Sequence, residues 1–285
     1  MKILIFGATG MLGNAVLRVF DDSDDHEAFG TVRGIATAAL LPPHLQDRLV
    51  AGIDVLDHDD CIRAMDRVRP DVVINCIGLV KQLANANDPL DALPINAMLP
   101  HRLARLSAAM NARFIHMSTD CVFSGRDGLY RESDFADADD LYGRSKYLGE
   151  VDYPNAITLR TSIIGHELGG GARSLVGRFL AQDGSVQGYS KAIFSGLPTV
   201  ELARVIKDYV LPRPEMNGLW HVSAEPIDKL ELLRLVAKAY GKQIEIRPDD
   251  SVRIDRSLNS DRFRAETGFE PLPWPELVRS MCNFG

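Results

Sequence analysis

The stretch Lys2-Ile3-Leu4-Ile5-Phe6-Gly7-Ala8-Thr9-Gly10-Met11-Leu12-Gly13 decides how the rest of the chain is read. The apolar run Ile3–Phe6 predicts a short strand buried on both faces. A glycine-rich turn follows at once, and Met11–Phe20 then places apolar residues at helical spacing. The glycines read G-x-x-G-x-x-G. Gly7 permits a tight turn, Gly10 lets the backbone approach a pyrophosphate, and Gly13 lets helix and strand pack closely. The helix start offers free N–H groups and the positive end of the helix dipole. In this strand–turn–helix context the motif predicts a dinucleotide site lined by Gly7, Thr9, Gly10, Met11, Leu12 and Gly13.

Working outward, the first half alternates strand and helix patterns. Strands are expected at Lys2–Phe6, Ala28–Val32, Leu49–Ile53, Asp71–Ile77, Phe114–Met117 and Ala156–Ile163. Helices are expected at Met11–Phe20, Cys61–Val68 and Ala92–Met110, the last bent or broken by Pro94 and Pro100, and again around Tyr142. This rhythm implies an α/β fold with a doubly wound parallel sheet. Beyond Ile164 the pattern loosens. Helices are expected at Ser174–Ala181, Val200–Val210 and Lys229–Tyr240, and strands at Leu219–Val222 and Ile244–Ile246. Residues 1–160 and 197–222 are expected to form the dinucleotide domain. Residues 161–196 and 223–285 are expected to form a smaller portion that closes a cleft over the sheet. Gly169-Gly170-Gly171 reads as a flexible loop and Asp21-Asp22-Ser23-Asp24-Asp25 as a solvated acidic one.

The chain has 285 residues, 46% of them hydrophobic, and a net charge of −7. That length can bury a substantial core. The acidic balance argues against nucleic-acid or anionic-membrane binding. The N-terminal apolar run is too short for a signal peptide, and no run spans a membrane, so a cytoplasmic location is expected. Cys61, Cys76, Cys121 and Cys282 are scattered without a C-x-x-C pair, so no disulfide framework and no metal site is expected.

The segment Tyr142-Gly143-Arg144-Ser145-Lys146-Tyr147-Leu148-Gly149-Glu150 reads as a helix capped by Asp139 or Asp140, despite two glycines that each cost roughly 0.5–1 kcal/mol in a helix interior. Tyr142 and Lys146 lie one turn apart on one face. In isolation they are ordinary helix neighbours. After the glycine motif they resemble the Y-x-x-x-K pair of the short-chain dehydrogenase/reductase superfamily, to which G-x-x-G-x-x-G also points, in its extended branch. That resemblance implies a Rossmann fold in which a carbonyl is reduced and Tyr142 protonates its oxygen. An ammonium 4 Å from the phenol, at an effective dielectric near 20, is worth about 4 kcal/mol, or about three pKa units before desolvation is counted. Gly143 is read as giving room to cofactor or substrate.

The same resemblance assigns further positions. Thr31-Val32-Arg33 ends the second strand without the acid an NAD site prefers, and Arg33 suits a 2′-phosphate, so NADPH is expected, with NADH left open. Asp54 and Val55 resemble the pair that meets the adenine. Cys76-Ile77-Gly78 matches the segment walling the cofactor, which Ser118 and Lys146 also help to hold. Asn96 matches a structural or water-holding residue.

More closely, the chain resembles the dTDP-4-dehydrorhamnose reductase family of nucleotide-sugar reductases. The resemblance rests on GATGMLG at residues 7–13, STDCVFSG at residues 118–125, YGRSKYLGE at residues 142–150, and LRTS at residues 159–162, with weaker support from SGLPT and LNSDRF. It implies Thr119, Tyr142 and Lys146 as the catalytic set and Asp120 as a substrate contact, with Ser118 as the reserve hydroxyl. Cys121 stands where the family has a Tyr, which leaves room for a bulkier substituent such as an acetamido group. The stretch from Thr161 to Thr199 looks more like reductases of UDP-2-acetamido-2,6-dideoxy-4-hexuloses, so both sugars stay open. Arg173, Arg178, Lys191, Arg253 and Arg256 are candidates to meet a diphosphate. Two other readings stand beside reduction. One is epimerisation next to the ketone, motivated by the Cys76 and Cys121 thiols. The other is a non-catalytic NADPH-binding role like that of the regulatory beta subunit of methionine adenosyltransferase. A homodimer is left open.

Overall fold

The computed structural model describes residues 1–23, 25–81, 87–169 and 172–285. The loop expected at Gly169-Gly170-Gly171 and the acidic loop around Asp24 therefore fall partly outside the described residues.

Seven strands form the central sheet: β1 (Lys2–Phe6), β2 (Glu27–Val32), β3 (Leu49–Ala51), β4 (Val72–Asn75), β5 (Arg113–Thr119), β6 (Ala156–Thr161) and β7 (Gly218–His221). Their order is β7-β6-β5-β4-β1-β2-β3, and every neighbouring pair is parallel. The order reverses between β1 and β4, the switch point where open α/β sheets bind ligands. Apolar side chains cover both faces. Ile3, Ile5, Ile74 and Ile115 pack against the helices Met11–Asp21, Thr199–Val205 and Trp274–Phe284. Leu4, Phe6, Val73 and Phe114 pack against His58–Val68 and Leu99–Ala109.

Several boundaries differ from the expected ones. The third and fourth strands stop earlier, at Ala51 and Asn75: Gly52 turns the backbone at φ +75°, and the Ile77 amide donates to Asn75 Oδ1 at 3.1 Å instead of continuing the ladder. The run expected as one strand to Ile163 breaks after Thr161, and Ile163–Ile164 pairs instead with Leu197–Pro198. Pro94 and Pro100 do not break the long helix. Asp88 caps its start by accepting from the Leu90 amide at 2.9 Å, and the residues Leu93–Met98 wind as a wider π-helical segment before the α-helix Leu99–Ala109. The wider turn accommodates the missing N–H and the ring of Pro94.

Beyond β6 a three-stranded sheet forms in which Ala192–Phe194 lies between Ile227–Asp228 and Ile254–Asp255. A separate parallel pair joins Ser185–Tyr189 to Glu245–Asp249. Asp255 donates its amide to the Gly125 carbonyl at 2.8 Å, which docks the three-stranded sheet onto the loop after β5. No described helix is long and apolar enough to cross a membrane.

Candidate active site

The glycine loop emerges from β1 as the sequence predicts. Gly7 has φ +89°, and its amide donates to Thr31 Oγ1 at 3.2 Å. A β-carbon on Gly13 would stand 2.1 Å from the Gly7 carbonyl oxygen, so only glycine lets the helix sit this close. Gly10 precedes the helix Met11–Asp21, which has no side-chain cap and no acid in its first turn. Its positive end is left for an anion. The Leu12 side chain is buried in the core, so only its backbone can serve a ligand. Thr9 and Met11 are partly buried beside it.

Arg33 is exposed just past β2. Asp54 is exposed, and its carboxylate accepts from the Leu56 amide at 3.0 Å; Val55 packs on the lower core. Cys76, Ile77 and Gly78 follow β4. A β-carbon on Gly7 would meet Ile77 Cγ1 at 2.7 Å, and one on Gly78 would lie 3.9 Å from Lys146 Nζ. The β4 end thus bridges the glycine loop and the lysine.

Tyr142 and Lys146 occupy the helix Leu141–Leu148, and Asp140 is its cap, accepting from the Gly143 amide at 2.8 Å. The two puzzling glycines are sites of close backbone approach. A β-carbon on Gly143 would stand 2.2 Å from the Cys121 carbonyl oxygen, and one on Gly149 would stand 1.9 Å from that of Asn96. Gly143 therefore makes room for the chain after β5, which corrects the expectation that it makes room for a ligand. The Lys146 ammonium is buried and donates to the Met117 carbonyl at 2.7 Å. Thr119, two residues further along β5, donates to Asp120 Oδ1 at 3.2 Å and accepts from the Cys121 amide at 3.1 Å, and it stands near enough to the Tyr142 phenol to pull its pKa down.

Burial raises the phenol pKa, with nearby Cys121 adding to the effect and Thr119 opposing it. The expected lowering by the Lys146 ammonium is not seen: desolvation and the charges of Asp120 and Asp140 raise the phenol. A neutral phenol is the form that can donate a proton. Burial lowers the Lys146 ammonium to about 8, against the opposing pull of Glu150 and Cys76. Burial also raises Asp120, and it pushes both Cys76 and Cys121 up to about 12. Both thiols are protonated near neutral pH, so neither supplies the base that the epimerisation reading needs.

Ser118 does not share the position of Thr119. Successive strand residues face opposite sides, and the Ser118 hydroxyl donates to Glu150 Oε1 at 2.7 Å. Its expected role as a reserve substrate hydroxyl gives way to a supporting one. Glu150 also accepts from Arg160 Nε and Nη2, each at 2.7 Å, and both side chains are almost fully buried. Arg160 Nη1 lies 3.3 Å from His221 Nε2. On the other side, Asn96 accepts from the Leu79 amide at 2.8 Å and donates to the Leu79 carbonyl and to Ser145 Oγ, each at 3.1 Å. Asn96 thus ties the segment after Gly78 to the tyrosine helix.

Three charged residues escaped sequence reasoning. Lys81 bonds Asp140 at 2.5 Å and stands 5.4 Å from the centre of the Tyr142 ring. Glu150 closes the YGRSKYLGE segment, but its partner Arg160 lies on another strand. Lys229 feels the charges of Asp120, Arg256 and Arg178. Arg256, expected at the substrate, donates to the Phe123 carbonyl at 2.7 Å. Among the described residues, no group of three or more His, Cys, Asp or Glu is placed to hold a metal ion.

Comparison with known proteins gives the chain's family. A probable low-salt glycan biosynthesis reductase of Haloferax volcanii, Agl14, is 31% identical over 169 residues, which is 58% of this chain and 54% of that protein. The dTDP-4-dehydrorhamnose reductase of Mycolicibacterium smegmatis is 28% identical over 98% of this chain and 84% of its own. The crystal structure of dTDP-4-dehydrorhamnose reductase from Bacillus anthracis in complex with NADP superposes with a TM-score of 0.78, covering 100% of this chain and 98% of that one at 20% identity, a likeness of fold. The RmlD substrate binding domain profile matches residues 1–283, and the chain belongs to that family.

Proposed function

We propose that this protein is an NADPH-dependent reductase of the 4-keto group of a nucleotide-diphospho-6-deoxy-4-hexulose. The observations that support the proposal are that Thr119 lies near the Tyr142 phenol and that Lys146, one helical turn on, bonds the Met117 carbonyl of the same strand and lies near Gly78. The uncapped helix start, brought close to β1 by the tight turn at Gly7 and the close packing at Gly13, fits a dinucleotide diphosphate. Arg33 would meet the 2′-phosphate, Asp54 and Val55 the adenine, and Cys76–Gly78 the face of the cofactor. When bound, NADPH supplies the hydride.

The protein's own residues do the rest. Thr119 holds the ketone oxygen beside the Tyr142 phenol, and Tyr142 donates its proton as the alkoxide forms. Lys146 stabilises the resulting phenolate and binds the nicotinamide ribose. Asp120, Cys121 and Arg256 face the sugar nucleotide, which residues 161–196 and 223–285 enclose. The small Cys121 side chain suits a 2-acetamido sugar, so UDP-2-acetamido-2,6-dideoxy-4-hexulose is tested beside dTDP-4-dehydrorhamnose. A role in cell-surface polysaccharide precursors fits the glycan reductase among the relatives. A non-catalytic role needs a defective site, whereas Thr119, Tyr142 and Lys146 are all present.

The test is NADPH oxidation with each enzymatically prepared keto-sugar, and its pH dependence carries a further prediction. The phenol stays protonated well into alkali, so the alkaline limb of kcat/KM belongs to Lys146 and falls above about pH 8. The sign for stability is opposite. Because the folded-state pKa of Lys146 is depressed, the unfolded chain binds more protons between about 8 and 10.5, and this group's contribution to stability rises across that window. A profile flat to pH 10 contradicts the assignment.

A further inference from the structure

We propose that Lys229, together with Arg178 and Arg256, grips the diphosphate of the sugar nucleotide, with Lys229 as the anchor. The inference deepens the reductase reading and rests on it for the identity of the sugar; the diphosphate contact is testable by itself.

The three-stranded sheet beyond β6 brings the cations together. Asp228 and Asp255 both pair with Ile193, from opposite sides of the central strand Ala192–Phe194. The next residues along the chain are Lys229 and Arg256. Positions separated by 27 residues in sequence therefore flank one short strand, Lys229 level with Ala192 and Arg256 level with Phe194, roughly 12 Å apart on the diagonal. Side chains as long as these can span that distance to a ligand with oxygens at both ends.

The same sheet is clamped over the catalytic edge. A β-carbon on Gly125 would stand 2.5 Å from Ile254 Cγ1 and 2.9 Å from Arg256 Cγ, and the Asp255 amide bonds the Gly125 carbonyl. Gly125 follows Thr119, Asp120 and Cys121 by a few residues. Arg256 is anchored to this loop at Phe123. Lys229 is within electrostatic reach of Asp120 and Cys121 as well as of Arg256 and Arg178. A hexose with its ketone at Thr119 and Tyr142 spans Asp120 and Cys121 and delivers its anomeric phosphate to these cations.

None of the three cations is neutralised. Among the described residues, no carboxylate forms an ion pair with Lys229, Arg178 or Arg256, although other arginines do find such partners, as Arg204 does in Glu201 and Arg234 in Glu231. Lys229 is largely buried, and burial lowers its pKa against the pull of Asp120. A partly desolvated ammonium beside two guanidinium groups is costly without a counter-charge. Two linked phosphates supply two negative charges and enough acceptor oxygens for all three donors.

Titration calorimetry tests the contact directly. UDP and dTDP are titrated into the protein saturated with NADP⁺, for wild type, Lys229→Met and Lys229→Arg. Loss of one charge-assisted contact is expected to weaken the better-bound nucleoside diphosphate by about 10- to 100-fold in Lys229→Met. Lys229→Arg is expected to recover most of that loss, and NADP⁺ affinity stays near wild type as evidence of intact folding. Undiminished diphosphate affinity in Lys229→Met overturns the proposal, as does a wild type that binds neither nucleoside diphosphate at millimolar concentration. Lys229-dependent diphosphate binding in a protein that oxidises no NADPH with either keto-sugar upholds the contact while removing the reductase reading.

Discussion

Tyr142→Phe lowers kcat/KM for NADPH-dependent ketone reduction by about 10²- to 10⁴-fold. The substitution removes one oxygen and little volume, so the helix Leu141–Leu148 keeps its Asp140 cap and its approach to Cys121. What disappears is the proton donor. Burial leaves the phenol protonated at any ordinary pH, and Thr119 lies beside it. The neighbouring groups cannot substitute for it. The Cys76 and Cys121 thiols are weak acids with pKa values near 12, and the Lys146 ammonium is engaged with the Met117 carbonyl. Steady-state kinetics on the variant, with fluorescence titration to verify that NADPH still binds, checks the result. Wild-type turnover in Tyr142→Phe places the proton donor elsewhere.

Glu150→Gln is expected to cost about 3–5 kcal/mol of stability. Glu150 is the counter-ion of the buried Arg160 guanidinium, which it meets through two hydrogen bonds, and it also accepts from Ser118. An amide keeps the shape but leaves a buried cation unneutralised and turns N–H groups toward the guanidinium. The same substitution reaches the active site. The Glu150 carboxylate raises the Lys146 pKa, so its removal lowers it, and the alkaline limb of kcat/KM moves below about pH 8. Urea denaturation measures the first effect and the pH–rate profile the second. A loss under 1 kcal/mol with an unmoved limb shows that the pair neither supports the fold nor tunes the lysine.

Local features were legible in the sequence. The glycine loop lies within one strand–turn–helix unit, and Tyr142 and Lys146 are one helical turn apart, so both follow from spacing. The parallel, doubly wound sheet follows from the alternation of elements, though the order of its strands does not. What depended on register or on distant pairing was not legible. Which of Ser118 and Thr119 faces Tyr142 is decided by how β5 sits between β4 and β6. The need for glycine at 143 and 149 comes from the carbonyls of Cys121 and Asn96, both remote in sequence. Pro94 looks like a helix breaker until the wider turn at Leu93–Met98 absorbs it. Glu150 and Arg160 meet across two elements, and Lys229 joins Arg256 only because both follow strands that flank Ala192–Phe194. A linear pattern contains no signal for such contacts.

The decisive measurement follows the label from NADPH deuterated at the transferable position during turnover with a 4-keto-6-deoxy sugar nucleotide. Mass spectrometry and NMR of the product are predicted to show one deuterium at carbon 4, and none at the neighbouring ring carbons when the solvent is D₂O. Product without deuterium at carbon 4, or solvent deuterium at the carbons beside the ketone, contradicts reduction assisted by Thr119, Tyr142 and Lys146.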